Sequence, residues 1–178
     1  MNTLELDEKL ILRMGKGDHG AFGELYQQTS SAVYGFALSI LRNRHDAENV
    51  MHDAYIKVWN SAISYKPMGK PMAWIMTIVR NLCYNRLKSG QICEDISQYE
   101  HISSSDHADN VVDHMILEKA LGVLDFEDRQ IVVLHALTGM KHREIAEILD
   151  IPIGTVLSKY NRALSKMREE LEGKGRYQ

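Results

Sequence analysis

"REIAEILDIPIGTVLSKYNRALSKM", residues 143–167, is the stretch on which the reading of this chain turns. Just before and within it, residues 142–149 set Ile145, Ala146 and Leu149 on one helical face, and the pattern then breaks at Asp150-Ile151-Pro152-Ile153-Gly154. Helical spacing returns over 153–172. At about 100° per residue, Val156, Tyr160, Ala163, Leu164, Met167 and Leu171 gather on one side, with Thr155, Ser158, Lys159, Arg162 and Lys166 on the other. A short helix, a tight turn and a longer helix predict a helix-turn-helix. Ala146 is small enough for a close helix crossing, and Ile151 and Val156 can pin the turn to a core. From Ile151 to Arg168 the charges are Lys159, Arg162, Lys166 and Arg168, without one carboxylate. A solvated amphipathic helix would explain the charge alone. The turn and the one-signed outer face together favour a helix that enters a DNA groove. Lysine and arginine would attract phosphates there, and a planar arginine could also reach guanine.

The rest of the chain is consistent with that tract being special. Net charge is −3 over 178 residues, so the protein as a whole is not a polycation. Charge is nevertheless segregated. Residues 57–90 carry Lys57, Lys66, Lys70, Arg80, Arg86 and Lys88 and no acid, whereas 94–128 carry many acids against the single cation Lys119. Two positive blocks around a negative one suggest two surfaces for one polyanion. Hydrophobic content of 44% supports packed cores, though each half would be small. The start, MNTLELDEKL, lacks the basic and apolar regions of a secretory signal, and no run approaches the roughly 20 apolar residues of a membrane span. Cys83 and Cys93 are too few for a disulfide framework. These features predict a soluble protein of the reducing cytoplasm, without membrane insertion.

Helical periodicity places further helices at 6–15, 18–29, 31–42, 47–63, 71–89, 111–123 and 126–137, with Asp18 and Asp46 as N-caps. Lys66-Pro67-Met68-Gly69-Lys70-Pro71 must be a loop, with Pro71 opening the next helix. Residues 92–111 are polar, acidic and without period. The expected fold is therefore all-α: two small helical domains, 1–91 and 112–178, joined by an acidic linker over 92–111, the second domain holding the helix-turn-helix.

Two stretches of the first domain carry chemistry. In "DAENVMHDAYIKVWN", 46–60, Ala47, Val50, Met51, Ala54 and Val58 form the buried stripe. Asn49, His52, Asp53, Ile56, Lys57 and Asn60 point away, and exposed Ile56 and Trp59 amid polar groups suit a protein contact. The helix over 71–89 presents Thr77, Arg80, Asn81, Tyr84 and Lys88, beside a loop with Tyr65, Lys66, Lys70 and Trp74. Cations interleaved with aromatic rings can bind phosphates and stack unpaired bases, although Tyr65 and Trp74 could equally be core rings that fasten the loop.

"DAENVMHDAYIKVWN…PMAWIMTIVRNLCYNRLKS" resembles the second conserved region of bacterial RNA polymerase sigma factors of the extracytoplasmic-function (ECF) group. "LDFEDRQIVVLHALTGMKHREIAEILDIPIGTVLSKYNRALSKMREEL" resembles their fourth region. The resemblance covers about residues 20–90 and 113–172. It implies a subunit that binds core RNA polymerase, through the beta-prime coiled coil and the beta flap, and places it on promoter DNA. By the same resemblance Asn49, His52, Asp53 and Ile56 meet polymerase, and Tyr65, Lys66, Lys70, Trp74, Arg80, Asn81, Tyr84 and Lys88 read and melt the minus-ten element. Thr155, Ser158, Lys159, Arg162 and Lys166 would dock on the minus-thirty-five element. Where the family usually has Asp, Gln and Glu on the polymerase helix, this chain has Asn49, His52 and Asp53. Where the family often has arginine in the recognition helix, it has Leu157, Lys159 and Leu164. Family habit also implies control by an anti-sigma factor.

A response-regulator type of helix-turn-helix protein would need a receiver or ligand domain upstream, for which the strand-poor first 90 residues give no pattern. The eight histidines lack the spacing of a metal site. No catalytic residues, metal or cofactor are expected.

Overall fold

A computed structural model describes residues 6–89 and 121–173. The linker expected over 92–111, most of the helix expected over 111–123, and the last residues from 174 lie outside them. Among the described residues all regular structure is helical: α1 (Glu8–Met14), α2 (His19–Leu41), α3 (Arg44–Ser61) with a 3-10 turn at Ala62–Ser64, α4 (Pro71–Lys88), α5 (Phe126–Thr138), α6 (His142–Leu149) and α7 (Ile153–Gly173).

The helix starts follow capping chemistry. Asp7 caps α1 through the Lys9 amide at 2.9 Å, and Asp18 caps α2 through the Ala21 amide at 3.1 Å. Each satisfies a backbone donor that has no partner within the helix. Asp46 does not cap α3 as the sequence suggests. Asn43 does, accepting from the Asp46 amide at 3.0 Å. The Asp46 carboxylate is instead buried and takes Arg86 of α4 at 2.6 Å, which ties the two helices together.

The sequence predicts two helices over 18–42, and the structure has one. The polar run Thr29-Ser30-Ser31 does not break α2, because the Thr29 hydroxyl donates to the Leu25 carbonyl at 2.7 Å and lies 2.7 Å from Tyr55 Oη. A buried hydroxyl satisfied in this way costs the helix little. Pro71 occupies the first turn of α4, where its missing amide proton is harmless. Gly139 ends α5 at φ +68°, a left-handed position that favours glycine.

The two halves do not stand apart. Helix α2 packs on α5, and α4 packs on α6. One cluster of buried side chains runs from Leu10, Phe36, Val58 and Ile75 into Ile131, Leu134, Ile145 and Val156. A smaller cluster, Leu124, Val132 and Ala163, lies inside the C-terminal half. Helices α2 and α5 come close at Gly35, where an added Cβ would lie 2.5 Å from the tip of the Leu137 side chain, Cδ1. Arg129, itself buried, crosses the same junction and donates to the Ser39 carbonyl of α2 at 3.3 Å.

Candidate nucleic-acid and polymerase interfaces

The helix-turn-helix is α6, a turn at 150–152, and α7. Asp150 adopts φ +56°, the left-handed conformation that asparagine and aspartate tolerate best after glycine. The Ile151 amide then returns to the Ala146 carbonyl at 3.2 Å, and the Pro152 carbonyl accepts from the Thr155 and Val156 amides. Val156 is fully buried and fixes the start of α7 on the core.

The cations expected on the DNA side of α7 are not free. Lys159 Nζ lies 3.0 Å from Glu127 and 3.5 Å from Asp128, and Lys166 Nζ lies 2.8 Å from Asp125. Arg162 meets Asp128 with Nε at 3.3 Å and Nη2 at 3.1 Å, while Asp128 is fully buried. Two of these cations are stabilised accordingly: the hydrogen bond to Glu127 raises the Lys159 pKa, and that to Asp128 raises the Arg162 pKa. These carboxylates sit at the N-terminus of α5, where negative charge also suits the helix dipole. Thr155 is half-buried. Ser158 is exposed, its hydroxyl bonded to the Thr155 carbonyl at 3.0 Å.

Tyr65, at the start of the loop between the 3-10 turn and α4, packs on Trp74 of α4 with ring centroids 4.8 Å apart, both half-buried. Their organiser was not legible in the sequence. The Glu8 carboxylate of α1 accepts from Tyr65 Oη, from the Met68 amide at 2.8 Å and from the Gly69 amide at 3.0 Å. The Tyr65 hydrogen bond holds the Glu8 pKa below its ordinary value, and burial followed by Glu8 pushes that of Tyr65 up. No local pattern announces a partner 57 residues away.

The remaining residues of that surface divide. Lys66, Asn81 and Lys88 are exposed. Lys70, Arg80 and Tyr84 turn toward the C-terminal half. Lys70 Nζ meets Glu147 at 2.9 Å, Arg80 Nη2 donates to the Leu149 carbonyl at 3.1 Å, and Tyr84 Oη donates to Gln130 Oε1 at 3.3 Å. The Arg80 guanidinium also lies 4.6 Å over the Tyr84 ring. Sequence reading treated Arg80 and Tyr84 as outward. They are half-buried because helices α5 and α6 cover them.

On α3, Asn49 is half-buried and His52, Asp53 and Ile56 are exposed along one face, with Ile56 61% exposed. Trp59 is not an exposed anchor. It is half-buried, stacked on His19 with centroids at 4.8 Å and edge-on to Phe22. Beside Ile56 these rings line an apolar hollow of about 620 Å³ with Tyr26 and Tyr55.

Among the described residues no three metal-ligating side chains converge, and no helix is long and apolar enough to cross a membrane.

Residues 25–92 match the Sigma-70 region 2 family, and residues 114–167 match Sigma-70 region 4. An ECF RNA polymerase sigma factor SigK of Mycobacterium sp. (strain KMS) is 31% identical over 166 residues, covering 88% of this chain and 86% of the relative. A SigK of Mycobacterium tuberculosis (strain ATCC 25177 / H37Ra) is 25% identical over 174 residues, 93% of each chain. The fold is shared with RpoE solved with the anti-sigma factor NepR from Bartonella quintana (TM-score 0.70, 24% identity, 85% of this chain and 96% of that one). It is shared also with CnrH solved with the cytosolic domain of CnrY (TM-score 0.69, 23% identity, 94% and 97%). With both conserved regions in order and a full-length relative, the chain belongs to the ECF group of RNA polymerase sigma factors, the initiation subunits that bind core polymerase and promoter DNA.

Proposed function

We propose that the described structure is a closed state of this sigma factor, and that promoter recognition requires its two halves to separate. The observation that carries this is the engagement of Lys70, Arg80 and Tyr84 by Glu147, Leu149 and Gln130. The surface assigned to the minus-ten element is covered by the half assigned to the minus-thirty-five element. Size leads to the same reading. A compact chain of this length has a radius of gyration of about 16 Å. Some 25 base pairs at about 3.4 Å each span on the order of 80 Å. The 20 residues of 92–111 can reach roughly 65–70 Å when extended, so the chain has the length to bridge both elements once open.

In the open state Asn49, His52, Asp53 and Ile56 of α3 take the beta-prime coiled coil of polymerase, with the C-terminal half toward the beta flap. Tyr65, Lys66, Lys70 and Trp74, with Arg80, Asn81, Tyr84 and Lys88, meet the minus-ten strand. A base withdrawn from the duplex would be held in the loop that Glu8 braces, making recognition and melting one event. Helix α7 docks on the minus-thirty-five element, with Thr155, Ser158, Lys159, Arg162 and Lys166 toward the phosphates. Arg162 is half exposed, so it can offer its remaining N–H groups while keeping Asp128. The protein works in the cytoplasm, without catalytic residues of its own. An anti-sigma factor that favours the closed state would silence it, as the fold shared with NepR-bound RpoE suggests.

Transcription in vitro with core polymerase, followed by sequencing of transcript 5′ ends, tests this function. Shared elements upstream of the new start sites support it, and no transcripts beyond those of core alone overturn it.

A further inference from the structure

The loop before α4 has a backbone that is held and a tip that is free. Glu8 accepts from Tyr65 Oη, from the Met68 amide at 2.8 Å and from the Gly69 amide at 3.0 Å. Pro67 stiffens the chain on one side of Met68, and Gly69 turns it at φ +69° on the other. The Met68 side chain is nevertheless left in water, the residue being 77% exposed. The other sulfurs are sheltered. Met14, Met72, Met76 and Met140 are buried, and Met51 and Met167 are half-buried. Cys83 is fully buried, and burial pushes its thiol up to about 12, so almost no thiolate exists near neutral pH to meet an oxidant. Among the described residues Met68 carries the one exposed sulfur.

A thioether reacts without ionising, so access decides which methionine a dissolved oxidant attacks first. Hydrogen peroxide attacked by the Met68 sulfur forms an S–O bond and breaks its O–O bond. The sulfur gives up two electrons, and the second oxygen leaves as water with both protons. The product is a polar, chiral sulfoxide in place of a flexible apolar group. At a buried methionine that change would disrupt the core. At Met68 it leaves the core untouched and alters only the surface that the loop offers.

We propose that Met68 is an oxidation site that tunes promoter opening. Hydrogen peroxide converts it to the sulfoxide on the folded chain, and the more polar loop then engages the minus-ten strand less well. The effect on opening rests on the minus-ten reading of this loop, whereas the site of oxidation does not. Enzymatic reduction of the sulfoxide regenerates the thioether, so the change is reversible. In the closed state Lys70 is turned to Glu147 while Met68 stays exposed, so the free sigma factor is open to the reaction before it meets a promoter.

The test treats the free full chain with limiting hydrogen peroxide and maps the added oxygen by peptide mass spectrometry. Met68 should be oxidised well before Met14, Met72, Met76 and Met140. After removal of the peroxide the protein is assembled with untreated core polymerase, and strand separation on a duplex promoter is read by permanganate. Opening should fall by roughly three- to tenfold, as expected when part of one methionine's apolar contact is lost. Methionine sulfoxide reductases should restore it. Met68→Leu, which has no thioether at this position, should lose none of its own activity to the same treatment. Oxidation of the buried methionines at the same rate, or an unreactive Met68, overturns the site. Full oxidation of Met68 with undiminished opening overturns its effect. Opening by Lys66→Ala and Trp74→Ala then separates the causes: a defect keeps the loop as the minus-ten surface, and no defect removes that reading too.

Discussion

Lys70 Nζ lies 2.9 Å from the Glu147 carboxylate, so the loop proposed to meet the displaced strand is ion-paired to the first helix of the helix-turn-helix. An exposed pair of this kind contributes little by itself. Closure therefore depends on the apolar packing between the halves, including the α2–α5 junction where Gly35 lies close to Leu137. Gly35→Phe places a ring where even a Cβ would come within 2.5 Å of Leu137 Cδ1. The variant should have a radius of gyration clearly above the roughly 16 Å of a compact chain, measured by small-angle X-ray scattering. Glu147→Lys alone should leave it nearly unchanged. A compact Gly35→Phe protein would mean that the junction absorbs the ring.

Asp53 is an exposed carboxylate beside Ile56 on the outer face of α3. Asp53→Lys should weaken binding to core polymerase by about 1–3 kcal/mol, the range for a contact near an interface centre, with unchanged helicity by circular dichroism. Fluorescence anisotropy with labelled protein reads the affinity. Equal affinity for both proteins would move the polymerase contact to another face.

The brace at Glu8 predicts a defect in opening. Glu8→Ala should slow strand separation on duplex promoter, read by permanganate reactivity, and spare complexes on a pre-melted template. Since the folded-state pKa of Glu8 lies below the ordinary 4.5, its contribution is complete above that pH and is lost as pH falls below it. Equal defects on both templates would argue against a role in melting.

A second pH response belongs to the C-terminal half. His135 and His142 stack with centroids 5.0 Å apart, and Tyr160 meets both edge-on. The His135 ring is held by the Met140 carbonyl at 2.8 Å, whereas His142 Nε2 is buried without a hydrogen-bond partner. Burial, then the neighbouring His135, lowers the His142 pKa below 6.5. The folded state therefore favours the neutral ring, and its contribution, whole above pH 6.5, is lost as pH falls below that value. Thermal melts at about pH 7.5 and about pH 5.5 should show a drop at the lower pH that His142→Phe reduces. An identical drop in both proteins would place the sensitivity elsewhere.

What could be read from the sequence was mostly what depends on near neighbours. The period of α3, α4, α6 and α7, the Pro/Gly loop and the turn before Ile153 are all local patterns, and the structure has them. The misreadings share one cause. The expected division of 18–42 into two helices at position 30 fails because the partner of Thr29 is Tyr55, on another helix. Asp46 looked like a cap because Arg86, 40 residues on, was invisible to a local pattern. The cationic side of α7 looked free because the acids that pair with it belong to α5. The outward positions of α3 were legible as a face, and the cover over Arg80 and Tyr84 was not.

The buried cluster shared by the two halves has a thermodynamic consequence. Separating them uncovers apolar surface, so the free protein leans toward closure by whatever that surface costs in water. A partner that binds only the open form must supply this difference, and its measured affinity is reduced by the open fraction. Any variant that loosens the junction without touching the polymerase face should therefore bind polymerase more tightly than the native chain. Occupancy in the cell would then follow the supply of unengaged polymerase as much as the amount of the sigma factor itself.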